Sequence, residues 1–255
     1  TARQAMAKMY TVAMHTARAR TAKQLAIYFS IIVSLSLQIT LNIAHAEPAK
    51  QIDTQKDTTQ KMQDVTILAP GIKVDLRYAT ANNFTKHVIY PKTARCYLRL
   101  KVAERLAAVQ KSLEPKELGL KVYDCYRPRP VQAKLWALVP DERYVANPKN
   151  GSRHNRGAAI DLTLVDKNGV ELAMPTPYDD FTSRAHRSYQ DLPAEALKNR
   201  AILEAAMVAQ GFLPLPTEWW HFDDPDSKQY PMSEISFDAL IAGDKNEKSN
   251  LQKPK

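Results

Sequence analysis

Apolar residues recur at helical spacing in three parts of the chain. The clearest set lies between residues 98 and 113, at steps of three and four that place it on one helix face. Its members are Leu98, Val102, Leu106, Val109 and Leu113. Residues 193–210 predict a second helix that stops at Gly211, and a shorter helix is predicted between Pro130 and Pro140.

Strand-like patterns lie between these helices. Residues 120–126 alternate between apolar and polar side chains, and residues 158–165 predict a strand. The turn residues 166–169 and the segment 170–174 then predict the return strand of a hairpin. Further extended segments are predicted at residues 65–78, 212–215 and 219–222. We therefore predict an α+β fold, a single domain with a mainly antiparallel sheet and flanking helices.

The ends of the chain have a different composition. Residues 1–46 contain a basic stretch, an apolar segment and Ala44-His45-Ala46, which is the pattern of a cleaved secretion signal. An uncleaved membrane anchor is the alternative, although polar residues interrupt the apolar segment. Residues 47–63 predict a flexible linker, residues 64–242 the folded domain, and residues 243–255 a disordered polar tail.

The charge of the chain is concentrated at its N-terminus. The formal net charge is +9 at pH 7, and residues 1–46 carry five basic residues and no acidic residue. The rest of the chain is therefore nearer neutral, and it has no basic stripe interleaved with aromatic residues. We predict no nucleic-acid partner. After signal cleavage we expect a periplasmic or otherwise exported protein without a stable membrane span.

The chain has two cysteines, Cys96 and Cys125. In an exported protein an even pair favours one disulfide bond. Two buried thiols are the alternative. A bridge would close a loop of about 30 residues, which the chain-entropy model values at roughly 3–4 kcal/mol.

Two short motifs in the C-terminal half carry metal-binding side chains. Ser152–Asp161 reads SRHNRGAAID and supplies His154 and Asp161, and Glu218–His221 reads EWWH. Two imidazoles and one carboxylate leave a tetrahedral zinc ion with a position for water, as in catalytic zinc sites. The second acid, Glu218, could then act as a general base. The pattern predicts a hydrolase with one zinc ion per chain.

The spacing within each motif limits how its side chains can meet. Gly157 and the strand-forming residues after it favour a loop His154 followed by a strand Asp161, with a sharp turn at the glycine. Residues three apart in a strand face opposite sides, so Glu218 must lie in the turn after Pro216, or a bulge must intervene. Alternative roles are a turn or capping acid for Asp161 and core packing for the two tryptophans.

Three strings together resemble the zinc D,D-peptidases, and most closely the D-alanyl-D-alanine dipeptidases of the vancomycin-resistance type. They are YDCYRP at 123–128, AIDLTL at 159–164 and EWWHF at 218–222. The resemblance covers roughly residues 65–240. It implies that His154, Asp161 and His221 bind Zn²⁺. It also implies that Glu218 takes a proton from the metal-bound water and passes it to the leaving amine.

The resemblance assigns three further residues. Arg127 matches the arginine that stabilises the developing oxyanion, for which its fixed charge and forked donors are suited; a structural salt bridge is the alternative. Ser152 matches a serine that hydrogen-bonds the substrate. Asp179 falls where the family has an acid facing the substrate's free amino group, with Asp180 as the competing choice.

The activity implied is hydrolysis of the free dipeptide D-Ala-D-Ala, with consequences for peptidoglycan precursor turnover. One alternative is a D,D-carboxypeptidase that acts on longer muropeptides. The other is a non-catalytic, zinc-bearing module that binds the cell wall. The presence of Glu218 and Arg127 favours an enzyme, since binding alone requires neither.

Overall fold

The computed structural model describes residues 61–251, with side chains described as far as residue 246. The predicted signal segment 1–46 lies outside the described residues. The described part contains five α-helices: α1 (Val65–Leu68), α2 (Leu100–Leu113), α3 (Arg129–Leu138), α4 (Ala194–Ala209) and α5 (Phe237–Leu251). In this part of the chain, no helix is both long enough and apolar enough to cross a membrane.

The strands form two sheets. β1 (Met62–Asp64) pairs antiparallel with β3 (Tyr97–Arg99). The larger sheet has the order β2-β4-β5-β7-β6, made of β2 (Lys73–Val74), β4 (Leu118–Asp124), β5 (Ala159–Asp166), β7 (His221–Asp223) and β6 (Leu213–Pro214). β2 is parallel to β4, whereas the other neighbours are antiparallel. The predicted α+β class with a mainly antiparallel sheet is confirmed.

The predicted helices form because each buries its apolar face. Val102, Leu106, Val109 and Leu113 of α2 are all buried, as the spacing predicted. Leu98, the first member of the predicted set, instead lies in strand β3. α3 has a proline in its first turn, where a missing N–H costs nothing. Gly211 after α4 has a φ of 84°, a left-handed conformation suited to a glycine at a helix C-terminus.

Strand β5 lies in the middle of the sheet and is buried on both faces. Ile160, Leu162 and Leu164 point to one face and belong to the hydrophobic core. Asp161 points to the other face, opposite Asp124 of β4 and His221 of β7 in the ladder. The sheet therefore brings side chains from three strands side by side at one edge of the core.

Some predicted elements differ from the structure at the N-terminal side. The extended segment predicted at residues 65–78 begins instead with helix α1, because Asp64 caps it by accepting a hydrogen bond from the Thr66 N–H (3.0 Å). Most of the predicted linker, up to residue 60, lies outside the described residues. Its last residues are predicted wrongly, because Met62 is buried and pairs with Arg99 in the small sheet.

Two predictions nearer the C-terminus also need correction. The return strand predicted at 170–174 is reduced to one bridge between Val165 and Glu171. The predicted disordered tail is helical as far as Leu251, because α5 continues past Gly243. Tyr97 Oη donates a hydrogen bond to Asp244 (2.6 Å), which ties this part of α5 to strand β3.

The disulfide prediction is confirmed. Cys96 and Cys125 are bonded, with their Cα atoms 5.3 Å apart, and both residues are buried. The bridge joins the residue before β3 to the residue after β4. It therefore connects the small sheet to the large one.

Candidate metal centre

Three predicted ligands converge although 67 residues separate the first from the last. His154 Nε2 lies 3.3 Å from His221 Nδ1 and 3.5 Å from Asp161 Oδ2. His221 Nδ1 lies 2.9 Å from Asp161 Oδ1. All three residues are buried, and one ligand atom from each lies within 4.8 Å of the others. The group could hold a metal ion.

His154 reaches the centre from a short turn. A 3-10 turn, His154–Arg156, ends at Gly157, whose φ is 65°. A Cβ atom at Gly157 would lie 2.7 Å from Met62 Sδ and 3.3 Å from the backbone N of Arg99. Both the φ angle and the close packing require glycine here. The sharp turn predicted between His154 and Asp161 is therefore confirmed.

In each histidine, the hydrogen-bond partner of the outer nitrogen determines which ring nitrogen faces the centre. His154 Nδ1 lies 2.7 Å from the Cys125 carbonyl oxygen. A carbonyl can only accept, so Nδ1 carries the proton and Nε2 is left with its lone pair. His221 Nε2 similarly donates to Asp223 Oδ1 at 2.9 Å, and Arg153 Nε pairs with the same carboxylate at 3.2 Å. These outer contacts orient both rings, as is usual for metal-binding histidines.

The Asp161 carboxylate and the His221 imidazole at the centre shift each other's pKa towards the charged form. Burial raises the pKa of Asp161, but His154 and His221 outweigh it and hold this pKa well below its ordinary value. Burial lowers the pKa of His221, but hydrogen bonds with Asp161 and Asp223 raise it to about 10. Tyr178 Oη also donates to Asp161 Oδ2 (2.9 Å). An ionised carboxylate beside two oriented imidazoles is a donor set that fits a divalent metal ion.

Glu218 lies beside the ligands and outside the strands. It belongs to the turn between β6 and β7, where its N–H donates to the Leu215 carbonyl oxygen (3.3 Å). Its Oε2 lies 3.8 Å from His221 Nδ1. The expectation that Glu218 lies in the turn after Pro216 is confirmed, and no bulge is needed. Burial raises the pKa of Glu218, as expected for a general base shielded from water.

Arg127 takes part in a buried ion pair. Its Nε lies 3.0 Å from Asp124 Oδ2, and Nη2 contacts the same oxygen at 2.5 Å. Nη1 donates to Gln132 Oε1 at 2.8 Å. Asp124 also accepts hydrogen bonds from Tyr90 Oη (2.7 Å) and from the Cys125 N–H (2.9 Å). The structural salt bridge considered from the sequence is therefore present, and it fixes the guanidinium in one orientation.

A cavity of about 490 Å³ opens over the centre. Its walls include all seven predicted site residues: Arg127, Ser152, His154, Asp161, Asp179, Glu218 and His221. Ser152 Oγ accepts a hydrogen bond from the His154 N–H (3.2 Å). Tyr78 Oη donates to Asp179 Oδ2 (3.2 Å). Asp180 instead accepts a hydrogen bond from the Thr182 N–H (2.8 Å), so the geometry favours Asp179 over Asp180.

Asp179 has an unusual backbone and an unusual carboxyl group. Its φ is 61°, which is uncommon for a residue other than glycine. Burial and the nearby Asp161 raise its pKa well above the ordinary value. A cationic ligand beside Asp179 would stabilise the charged form of its carboxyl group.

Sequence reasoning missed several supporting residues. Asp223 follows His221 by two positions, so both side chains lie on the same face of a strand. That spacing could have indicated a contact between them. Asp124 lies within the YDCYRP string but was given no role. Tyr178 comes from a loop, and nothing in the local pattern indicated that its hydroxyl would reach Asp161.

Two imidazoles, a carboxylate and an adjacent acid that line one cavity are the residue set of a metal-dependent hydrolase. Residues 58–239 match the peptidase M15 family, described as D-ala-D-ala dipeptidase. This match covers well over half of the chain, so the protein belongs to that family and is a metallopeptidase.

The similarity to individual proteins agrees with this assignment. The chain is 38% identical over 189 residues to the D-alanyl-D-alanine dipeptidase of Escherichia coli K12. The matched region covers 73% of this chain and 95% of that relative. The chain is 32% identical to the enzymes of the same name from Streptomyces coelicolor over 195 residues (69% and 95%) and Enterococcus faecium over 190 residues (66% and 92%).

Proposed function

We propose that this protein is a zinc metallopeptidase that hydrolyses free D-Ala-D-Ala to two molecules of D-alanine. The observation that carries the proposal is the convergence of His154 Nε2, His221 Nδ1 and Asp161, with Glu218 3.8 Å from His221 Nδ1. When bound, zinc polarises the peptide carbonyl and lowers the pKa of its water towards ~7. One Zn²⁺ ion per chain fits the three ligands.

Glu218 performs the proton transfers. Its carboxylate accepts a proton from the attacking water and returns it to the nitrogen of the leaving D-alanine. Its position in a turn beside the ligands places it at the cavity rather than in the core. The raised pKa makes its carboxylate a stronger base than an exposed glutamate.

Arg127 stabilises the negative charge that develops on the carbonyl oxygen. A guanidinium has five N–H groups, and the described contacts with Asp124 and Gln132 use three of them. We assign the other two to a substrate oxygen, because Arg127 lines the cavity. Because Asp124 holds the fork rigidly, little reorganisation is needed during the reaction.

Asp179 binds the free amino group of the dipeptide, and Ser152 lines the same cavity. This assignment favours a dipeptidase over a D,D-carboxypeptidase, because a longer muropeptide has no ammonium group at that position. An ammonium next to Asp179 would lower its raised pKa and compensate for its buried charge.

A metal-dependent assay tests the proposal. The purified protein is treated with chelator, and release of D-alanine is followed on D-Ala-D-Ala and on a pentapeptide ending in D-Ala-D-Ala, before and after zinc is added back. We expect activity to return with zinc and to favour the dipeptide. Preference for the pentapeptide would indicate a carboxypeptidase. Zinc binding without hydrolysis of either peptide would indicate the wall-binding module.

Export to the periplasm is the second part of the proposal. The signal-like residues 1–46 support it, as does the Cys96–Cys125 bridge, since such bridges persist in oxidising compartments. Fractionation of cells that produce the full chain tests it. Recovery of the protein in the cytosol with both thiols free would contradict export.

A further inference from the structure

The disulfide lies directly behind a metal ligand. The Cys125 carbonyl oxygen accepts the hydrogen bond from His154 Nδ1 (2.7 Å) that points Nε2 at the centre. Cys125 is neither a ligand nor part of the cavity wall. Its main chain nevertheless decides where one of the three ligands points.

A ring of contacts encloses the His154 turn. From Cys125 it runs through the Sγ–Sγ bond to Cys96, and from there along the chain to Arg99 in β3. Arg99 N donates to the Gly157 carbonyl oxygen (2.8 Å), and its Nε donates to the Arg156 carbonyl oxygen (2.7 Å). The turn leads back to His154 and hence to Cys125. The disulfide is the covalent link that closes this ring.

Further backbone contacts hold the segment around the Cys125 carbonyl. The Cys125 N–H donates to Asp124 Oδ1 (2.9 Å), and the Tyr126 N–H donates to the Tyr97 carbonyl oxygen (2.9 Å). Arg127 N donates to the His154 carbonyl oxygen (3.1 Å). A shift of Cys125 would therefore move the acceptor of His154 together with the segment that carries Asp124 and Arg127.

We propose that the Cys96–Cys125 disulfide is a positioning element of the metal centre, which fixes the Cys125 carbonyl so that His154 Nε2 faces Asp161 and His221. The inference rests on the proposed zinc function. It goes beyond stabilisation of the fold, because it predicts an effect on metal affinity in protein that remains folded.

The test compares C96A/C125A with the wild type and with a matched control. The carbonyl belongs to the main chain, so the double variant retains the acceptor and loses only the bond that fixes it. The control is Leu203→Ala, which removes buried side-chain volume from α4 away from the cavity. All three proteins are measured well below their unfolding temperatures, by zinc competition titration of the apoprotein and by dipeptide kinetics at saturating zinc.

We expect the zinc dissociation constant of C96A/C125A to rise about 10-fold or more, as when an outer partner of a metal ligand is lost. In Leu203→Ala, by contrast, it should stay within about twofold of the wild type while the unfolding temperature falls. At saturating zinc the KM of the double variant should be nearly unchanged. Unchanged zinc affinity in a folded double variant would overturn the proposal and leave the bridge a stabilising role only.

A second measurement covers the case in which the double variant does not fold. The His154 Nδ1–H is followed by proton NMR in wild-type protein before and after reduction with a phosphine. Loss of this resonance, or its faster exchange with solvent, would support the proposal, and its persistence would contradict it. This signal does not depend on turnover. A wild type that lacks dipeptidase activity would therefore refute the proposed function without deciding this point.

Discussion

At the scale of single residues, the centre depends on which nitrogen of each histidine is protonated. The Cys125 carbonyl and the Asp223 carboxylate fix the two outer N–H groups. Both inner nitrogens then face the same position, and His221 Nδ1 can bind a metal ion there once it gives up its proton. The sequence predicts the three ligands, and these outer acceptors orient the two histidine rings.

Replacing Glu218 with Gln should abolish turnover and leave metal binding intact, because the amide cannot accept the proton of the attacking water. We expect kcat to fall at least about 10²-fold, since general base catalysis contributes on this scale. His154→Ala is the matched comparison and should lose bound zinc and activity together. Metal content and kcat measured on the same samples decide the point. Near-normal turnover by E218Q would reject the role of Glu218.

Zinc affinity should depend steeply on pH. With its pKa raised to about 10, His221 is protonated in the apoprotein at neutral pH, so a metal ion must displace one proton to bind Nδ1. The apparent association constant should therefore rise about tenfold per pH unit between pH 6.5 and 8.5. Competition titrations across this range measure the slope.

Asp223→Asn supplies the control for this pH dependence. It removes one of the carboxylates that raise the pKa of His221, so the increase in affinity should level off at a lower pH. A wild-type affinity that does not change with pH would contradict the proton displacement.

At the scale of elements, the short turn from His154 to Gly157 is as important as any strand. Its left-handed end, at a φ of 65°, lets the chain reverse and enter β5 two residues before Asp161. The preference for glycine was visible in the sequence. The packing of Met62 and Arg99 against it was not, because both lie more than 50 residues earlier in the chain.

Gly157→Ala should lower both stability and metal affinity. The substitution places a Cβ atom 2.7 Å from Met62 Sδ and forces a left-handed φ on alanine, at a cost of roughly 1–2 kcal/mol for the backbone alone. Chemical denaturation and zinc titration measure the two effects. Gly243→Ala is the control, since nothing lies within 4 Å of a Cβ atom there. Equal behaviour of the two variants would show that the turn tolerates a side chain.

At the scale of the whole molecule, the metal centre joins parts of the chain that are far apart in sequence. His154 comes from a loop, whereas Asp161 and His221 come from neighbouring strands of the sheet. A bound ion therefore crosslinks the folded state and has no such site in the unfolded chain. Metal occupancy and global stability should change together.

Chelation should lower the unfolding temperature. An ion present at 100 times its dissociation constant stabilises the fold by about 2.7 kcal/mol, which corresponds to roughly 5–10 °C for a domain of this size. Calorimetry of the holoprotein, the chelated protein and the zinc-restored protein measures the shift. His221→Ala serves as the control, because its unfolding temperature should not respond to zinc. A wild type whose unfolding temperature is insensitive to chelator would argue against occupancy of the site.

The sequence alone determined the class of fold, the main helices and which side chains could serve as metal ligands. Apolar spacing fixes which face of a helix such as α2 is buried, and ligand chemistry restricts a metal centre to a few residue types. Tertiary structure decided how these residues meet. Asp161 pairs with His221 through strand register, and Tyr178, Asp223 and the Cys125 carbonyl reach the site through contacts that span up to 29 residues. Such contacts depend on the packing of the complete fold, which local periodicity does not encode.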